Sequence, residues 1–102
     1  GRSARPPRAW LGLYIAEMEG RLVVGGLAPG GPAERAGLKL GDVVLEIGGE
    51  PVAGLAALFR KIWSCGPSGA EVPLAFSRRG TTSTVRIRSA DRNDFLKKPR
   101  LH

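Results

Sequence analysis

The six residues Trp10-Leu11-Gly12-Leu13-Tyr14-Ile15 place one glycine inside an otherwise bulky, apolar run. Such a run reads as a tight turn that feeds directly into a buried strand. Glycine at the hinge lets the backbone take a conformation that a side chain would forbid. Successive amide N–H groups in a turn of this kind can converge into a concave nest that holds an anion. If the strand that follows lies at a sheet edge, it also offers unpaired backbone groups to an added strand. A nest followed by an open edge suits the free carboxylate end of another polypeptide. The plainer alternative is that Gly12 only marks a strand start, and these six residues alone do not decide between the two.

At 102 residues the chain has room for one domain of ordinary size. A domain of this length buries roughly two-thirds of its unfolded surface, so neither a disulfide nor a metal is required for stability. Fifteen glycines and eight prolines predict many short elements joined by tight turns. No apolar run approaches the ~20 residues of a membrane-spanning helix. No signal peptide pattern is visible, but residue 1 is glycine rather than methionine, so the sequence is expected to be a piece of a longer protein.

The net charge of +7 invites a nucleic-acid reading until it is located. Arg2, Arg5 and Arg8 carry +3 in residues 1–8, and residues 91–102 carry a further +2. Residues 9–90, with nine basic and seven acidic side chains, carry only +2. The excess therefore sits in the tails, and solvated linkers are the usual form of such tails. The only cysteine, Cys65, has no partner for a disulfide or a metal site, and the only histidine, His102, is the last residue. No Ser/His/Asp set, Cys/His pair or metal cluster can be assembled with a histidine inside the fold. Glu17, Glu19, Glu34 and Glu50 fall in turn-like or exposed contexts. The expectation is a chain with no catalytic residues, no metal and no cofactor.

Residues 1–8, with Pro6-Pro7 and three arginines, read as a flexible basic linker. A strand is predicted at about 10–16, a turn at Glu19-Gly20 and a second strand at 21–24, loosened or bulged at Gly25 and Gly26. Pro32 and Gly37 bracket a helix of one to two turns, since proline suits the first helical position and glycine the left-handed residue that ends one. Residues 43–47 read as a mostly buried strand, and Gly48-Gly49-Glu50 reverses the chain into Pro51-Val52. From Gly54 to about Ser64 runs an amphipathic helix with Leu55, Leu58, Phe59 and Ile62 on one face; taken alone, that stripe is ordinary core packing. Two strands close the fold. Val72, Leu74 and Phe76 alternate in the first, where Pro73 predicts an edge or a bulge, and Val85 and Ile87 point inward in the second. Residues 91–102 read as a basic tail.

The run Gly31-Pro32-Ala33-Glu34-Arg35-Ala36-Gly37-Leu38-Lys39-Leu40-Gly41-Asp42-Val43-Val44-Leu45-Glu46-Ile47-Gly48-Gly49 resembles the G-S-P-A-x-x-A-G-L-x-x-G-D-x-I-x-x-I-x-G signature of PDZ domains. Gly31 stands where the family usually has serine. Trp10-Leu11-Gly12-Leu13 then falls where the family keeps its carboxylate-binding loop, and the likeness covers about residues 9–90. The resemblance implies an α+β fold: a single domain built as a small, partly open antiparallel β-sandwich or barrel with one long and one short helix. Only a Pro/Arg-rich linker precedes Trp10 and two strands follow the long helix. That order is similar to the permuted, bacterial type, particularly the PDZ domains that follow the protease domain of HtrA (Deg) serine proteases.

What this likeness implies for function is capture of a partner's C-terminal or unfolded segment by strand addition. The amides of Leu11, Gly12 and Leu13 would hold the carboxylate, and Leu13, Tyr14 and Ile15 would pair with the added strand. Leu11, Leu13, Ile15, Leu55, Leu58, Phe59 and Ile62 would line the pocket for a small or aliphatic last side chain. The parent would be a periplasmic or envelope trypsin-like protease, one that can be homo-oligomeric, with this domain tethering substrates or regulating the protease. Two alternatives stay open: a scaffold domain of another envelope protease or secretion component, and contact of the basic tails with nucleic acid or anionic lipid. An amidated peptide separates the first alternative, and trimming residues 1–8 and 91–102 separates the second.

Overall fold

Glu19 and Gly20 both take positive φ, 50° and 76°, the form of two-residue turn whose twist matches that of the strands it joins. In the computed structural model, which describes residues 9–91, this turn links β1 (Leu13–Met18) to β2 (Arg21–Leu27) as an antiparallel hairpin. The short helix α1 (Pro32–Ala36) follows, with proline in its first turn and Gly37 at φ 102° closing it. Then come β3 (Val43–Ile47), the two-residue β4 (Glu50–Pro51) and the long helix α2 (Leu55–Ser64). The hairpin of β5 (Glu71–Arg78) and β6 (Thr81–Arg88) completes the order. All strand pairs are antiparallel, in the sequence β1-β2-β3-β5-β6, with β4 beside β3.

The sheet is open, yet its two ends approach each other. Trp10 and Ala90 exchange both backbone hydrogen bonds, at 3.0 and 2.9 Å. This bridge ties the residue ahead of β1 to the segment after β6 and curls the sheet toward a barrel. It also brings both ends of the described segment to one corner. The segments expected as basic linker and tail, 1–8 and 92–102, lie outside the described residues. The architecture is the small α+β fold expected, with a short helix, a long helix and two strands after the long one.

The core is supplied by alternate residues of every principal strand and by one face of α2. Leu22, Val24, Ile47, Leu58, Val72, Leu74 and Ile87 are each no more than 2% exposed. Pro73 predicts an edge strand or a bulge there, and the structure gives neither. β5 lies between β3 and β6, and its pairing with β3 ends at Leu74. Pro73 falls one residue past that last pair, and its carbonyl accepts from Gly48 at 2.8 Å. A residue without an N–H is tolerated there because β3 has already turned away. The irregularity lies instead in β3, where Leu45 is extra between Val44 and Glu46.

Asp42 and Ser89 are the buried polar side chains of the described residues, and Asp42, at 2% exposed, is the charged one. Its two carboxylate oxygens accept from Arg78 Nε at 2.8 Å and Arg78 Nη2 at 2.7 Å, and Oδ2 also accepts from the Lys39 N–H at 2.9 Å. Arg78 Nη2 donates as well to the Gly37 carbonyl at 3.0 Å, and the guanidinium lies over the Phe76 ring. One ion pair thus joins β5 to the end of α1 and the turn before β3. The hydrogen bonds from Arg78, with lesser help from Lys39, hold the Asp42 carboxyl below the usual carboxylate range despite the opposing effect of burial. A depressed folded-state pKa means that this contribution is complete above the unfolded value, near pH 4, and is lost as pH falls through the folded value. Asp42→Ala is therefore expected to lower the unfolding free energy by about 2 kcal/mol at neutral pH. In urea denaturation the gap between wild type and variant should shrink below about pH 4; a gap independent of pH would show that the charge of Asp42 is not what stabilises.

Candidate functional site

Three consecutive carbonyls at the start of the first hairpin are tied inward. The Trp10 carbonyl accepts from Ala90 at 2.9 Å, that of Leu11 from Ala33 at 2.8 Å and that of Gly12 from Ala28 at 2.9 Å. A trans peptide unit is planar, with its N–H directed opposite to its carbonyl. The N–H groups of Leu11, Gly12 and Leu13 therefore point away from Ala90, Ala33 and Ala28 respectively. In extended chain successive N–H groups alternate sides, but Gly12 has φ 73°. That left-handed residue turns neighbouring N–H groups toward one side, as in an anion-binding nest. Leu11 and Gly12 donate to no other described group, and the register of β1 on β2, with Ala28 donating to the Gly12 carbonyl, leaves the Leu13 N–H on the outer side.

The strand that follows is an edge. Gly12, Ala16 and Met18 set the alternation: Ala28 donates to the Gly12 carbonyl, and the tight turn makes Met18 and Arg21 a hydrogen-bonded pair. Even-numbered residues of β1 thus bond to β2, and the backbone groups of Leu13, Ile15 and Glu17 face outward. Tyr14, expected to offer an edge to an added strand, instead spends its backbone groups on Gly26. Its ring lies over Gly26, where a Cβ would meet Tyr14 Cδ2 at 3.0 Å, and is 54% exposed on the face away from α2.

Beside that edge lies a cavity of about 300 Å³. β1 and α2 form its two walls and run in opposite directions, since Leu11 and Leu13 share it with Ile62 while Glu17 reaches Gly54 at the head of α2. Of the expected pocket residues, Leu11, Leu13, Ile15, Leu58, Phe59 and Ile62 line it; Leu55 does not and packs against the core. Ala9, Trp10 and Trp63 line it as well. Trp63 is one position beyond Ile62 on the exposed flank of α2, and its ring stacks on Phe59 at 5.9 Å between centroids. It continues the stripe (Phe59 plus four), a signal present in the sequence. The closeness of Ala9 and Trp10 depends on the bridge to Ala90, which no local pattern encodes. No lining side chain is ionisable, so the cavity offers a desolvated apolar wall beside a polar nest.

Among the described residues no group of three His, Cys, Asp or Glu could hold a metal ion. No described helix is long and apolar enough to cross a membrane.

An outward-facing loop, an edge strand and an antiparallel helix border one apolar groove, and the PDZ domain family matches residues 9–88. The chain belongs to that family, and among PDZ domains it is of the kind found in HtrA/Deg-type proteases. It is 36% identical to a probable periplasmic serine endoprotease DegP-like of Halomonas elongata over 88% of this chain and 21% of that protein. A protein of the same description from Rhizobium meliloti is also 36% identical, over 78% of this chain and 18% of its own length. The chain thus spans about a fifth of the curated relatives it matches. Among solved structures it is similar to the serine endoprotease from Yersinia pestis, at 25% identity and TM-score 0.72 over 85% of this chain and 30% of that one. The HtrA-type protease AlgW with decapeptide shares the fold at TM-score 0.75 and 23% identity, over 82% of this chain and 29% of its own.

Gly12 carries two constraints that substitution can separate. A Cβ there would lie 3.3 Å from both Ala28 Cβ and Pro32 Cδ, whereas Gly20, at nearly the same φ, has nothing within 4 Å. A side chain forced into this backbone region costs about 1–3 kcal/mol. Gly12→Ala should therefore lose more stability than Gly20→Ala in thermal denaturation. Equal losses would mean that Ala28 and Pro32 yield freely and only backbone strain counts.

Proposed function

We propose that this domain captures the C-terminal tails of other polypeptides by strand addition along β1, with a small or aliphatic last side chain in the cavity between β1 and α2. The observation that carries this reading is the inward tethering of three successive carbonyls, which presents the amides of Gly12 and Leu13, beside that of Leu11, to a site bordered by the apolar cavity. A carboxylate accepts from such amides and its last side chain enters the cavity. Burying a Val- or Leu-sized group contributes roughly 1.5–3 kcal/mol, and each added strand hydrogen bond nets about 0.5–1.5 kcal/mol. Against an association cost of ~4 kcal/mol or more, the balance falls near micromolar affinity. That strength suits a substrate tether or a sensor.

We infer from the periplasmic serine endoproteases it resembles that the parent is such an enzyme, with this domain its regulatory or substrate-tethering part. The module proper is residues 9–90, with a basic linker ahead and a basic tail behind. It contributes no catalytic group of its own, and the chain alone should cleave neither peptides nor esters. Hydrolysis that survives purification and disappears on replacing one of the chain's own polar residues would contradict that.

Peptides of five to seven residues ending in free Val, Leu, Ile or Ala should bind, and their C-terminal amides should bind at least tenfold more weakly. Hydrogen bonds to a charged group contribute about 1.5–3 kcal/mol each, and an amide cannot replace them. A terminal Asp should bind nearly as poorly as the amide, because it would place an unpaired charge against Leu and Ile. Gly12→Val should abolish binding of the free acid. Calorimetric titration at fixed salt measures all four cases. Equal affinity for acid and amide would show that the groove does not read chain ends and would favour a scaffold role.

A further inference from the structure

We infer that Glu17 makes this groove select tails with lysine or arginine at the fifth residue from the C-terminus. The inference rests on the tail-capture reading above and assigns it a charge preference. A carboxylate held at Gly12 and Leu13 fixes the direction of the bound strand. Its last residue lies at the start of β1, and the rest runs antiparallel toward Met18. The last residue then exchanges backbone hydrogen bonds with Leu13, the third from the end with Ile15 and the fifth with Glu17, because those residues carry β1's outward-facing groups.

Residues directly opposite in an antiparallel pair place their side chains on the same face, with Cβ atoms about 4.5–5.5 Å apart. Leu13 and Ile15 direct theirs into the cavity, so Glu17 directs its carboxylate to the same face one step further along. The position of Gly54 agrees: a Cβ there would lie 3.5 Å from Glu17 Oε2, across the groove at the head of α2. Glu17 is exposed, and among the described residues no Lys or Arg forms an ion pair with it. The nearest groove-facing positions, Leu13 and Ile15, are apolar. A bound peptide with a basic fifth residue would therefore meet one anionic side chain, and a peptide with an acidic one would be repelled by it.

The test uses the full chain and heptapeptides ending in the same free aliphatic residue. They carry Lys or Glu at the fifth position from the end, or Lys or Glu at the fourth, whose side chain lies on the opposite face. An amidated form of the first peptide completes the set. Exposed opposite-charge pairs contribute modestly and like pairs cost a similar amount, so Lys should bind roughly fivefold more tightly than Glu at the fifth position in low salt. The fourth position should show little preference, and the fifth-position ratio should shrink as salt is raised. Glu17→Lys should reverse the ratio and Glu17→Gln should bring it near one. The Gln variant preserves size, so the inference stays testable if the Lys variant folds poorly. A ratio near one in wild type, the same ratio in the Gln variant, or a stronger preference at the fourth position would each overturn it. If the acid binds and the amide does not while the ratio is near one, only the role of Glu17 fails. If acid and amide bind equally, or nothing binds, the tail-capture reading fails with it.

Discussion

The carbonyls of Trp10, Leu11 and Gly12 are held from three directions, by Ala90 beyond the last strand, by Ala33 in the first helix and by Ala28 at the end of β2. Each of those donors belongs to a different part of the chain, so the orientation of the loop is a product of the whole fold. If any one were lost, its peptide unit could rotate and satisfy its N–H internally. A backbone donor left without a partner costs free energy when buried, and Leu11 and Gly12 are both buried. The loop retains outward donors because its acceptors are already saturated, which is the condition that the proposed carboxylate capture requires. Such a site needs no side-chain charge, and none lines the cavity beside it.

The long helix serves the core and the groove with adjacent stripes. Leu58 and Ile62 are buried at 0% and 3%, while Phe59 and Trp63, one residue on from each, are both 38% exposed. One stripe anchors α2 over the sheet; the other forms a flat aromatic flank to the groove. α2 packs on the core from beneath, and the exposed Lys61–Glu50 ion pair links it to β4. The exposed rings remain as apolar surface, the part of the structure with most to gain from a ligand.

The elements that depend on local chemistry were legible in the sequence. Pro32 and Gly37 bracketed a helix that forms between them, Glu19-Gly20 made the turn, and the stripe at 55, 58, 59 and 62 lay on a helix within one residue of its expected start. The contacts that were not legible are tertiary. The bridge from Trp10 to Ala90 joins residues eighty apart and brings Ala9 and Trp10 into the groove wall. The Asp42–Arg78 pair joins a turn to the end of a strand. Leu55 shares the helical face of Leu58, but the groove passes it by, since a helical phase says which side faces inward and not how far the opposing strand extends. Pro73 misled for a related reason: its missing N–H forbids only one neighbour, and β3 ends before reaching it.

Tyr14 and the residue opposite it show how the groove face of β1 is kept intact. The register between β1 and β2 slips where Tyr14 pairs with Gly26 and Ile15 with Val24, leaving Gly25 as the extra residue. A bulge inserts a residue, bends its strand and increases local twist. Had the extra residue fallen in β1, the side chains on either side of it would have exchanged faces, because the side-chain period of a strand is two. With the insertion in β2, on a glycine, the bend is obtained while Leu13, Ile15 and Glu17 stay on one face. The strand can therefore curve around α2 and still present an unbroken row: two apolar side chains nearest the nest, then a carboxylate. For the proposed capture of a tail this matters, because an end fixed at one point sets the position of every second side chain only along an unbroken row.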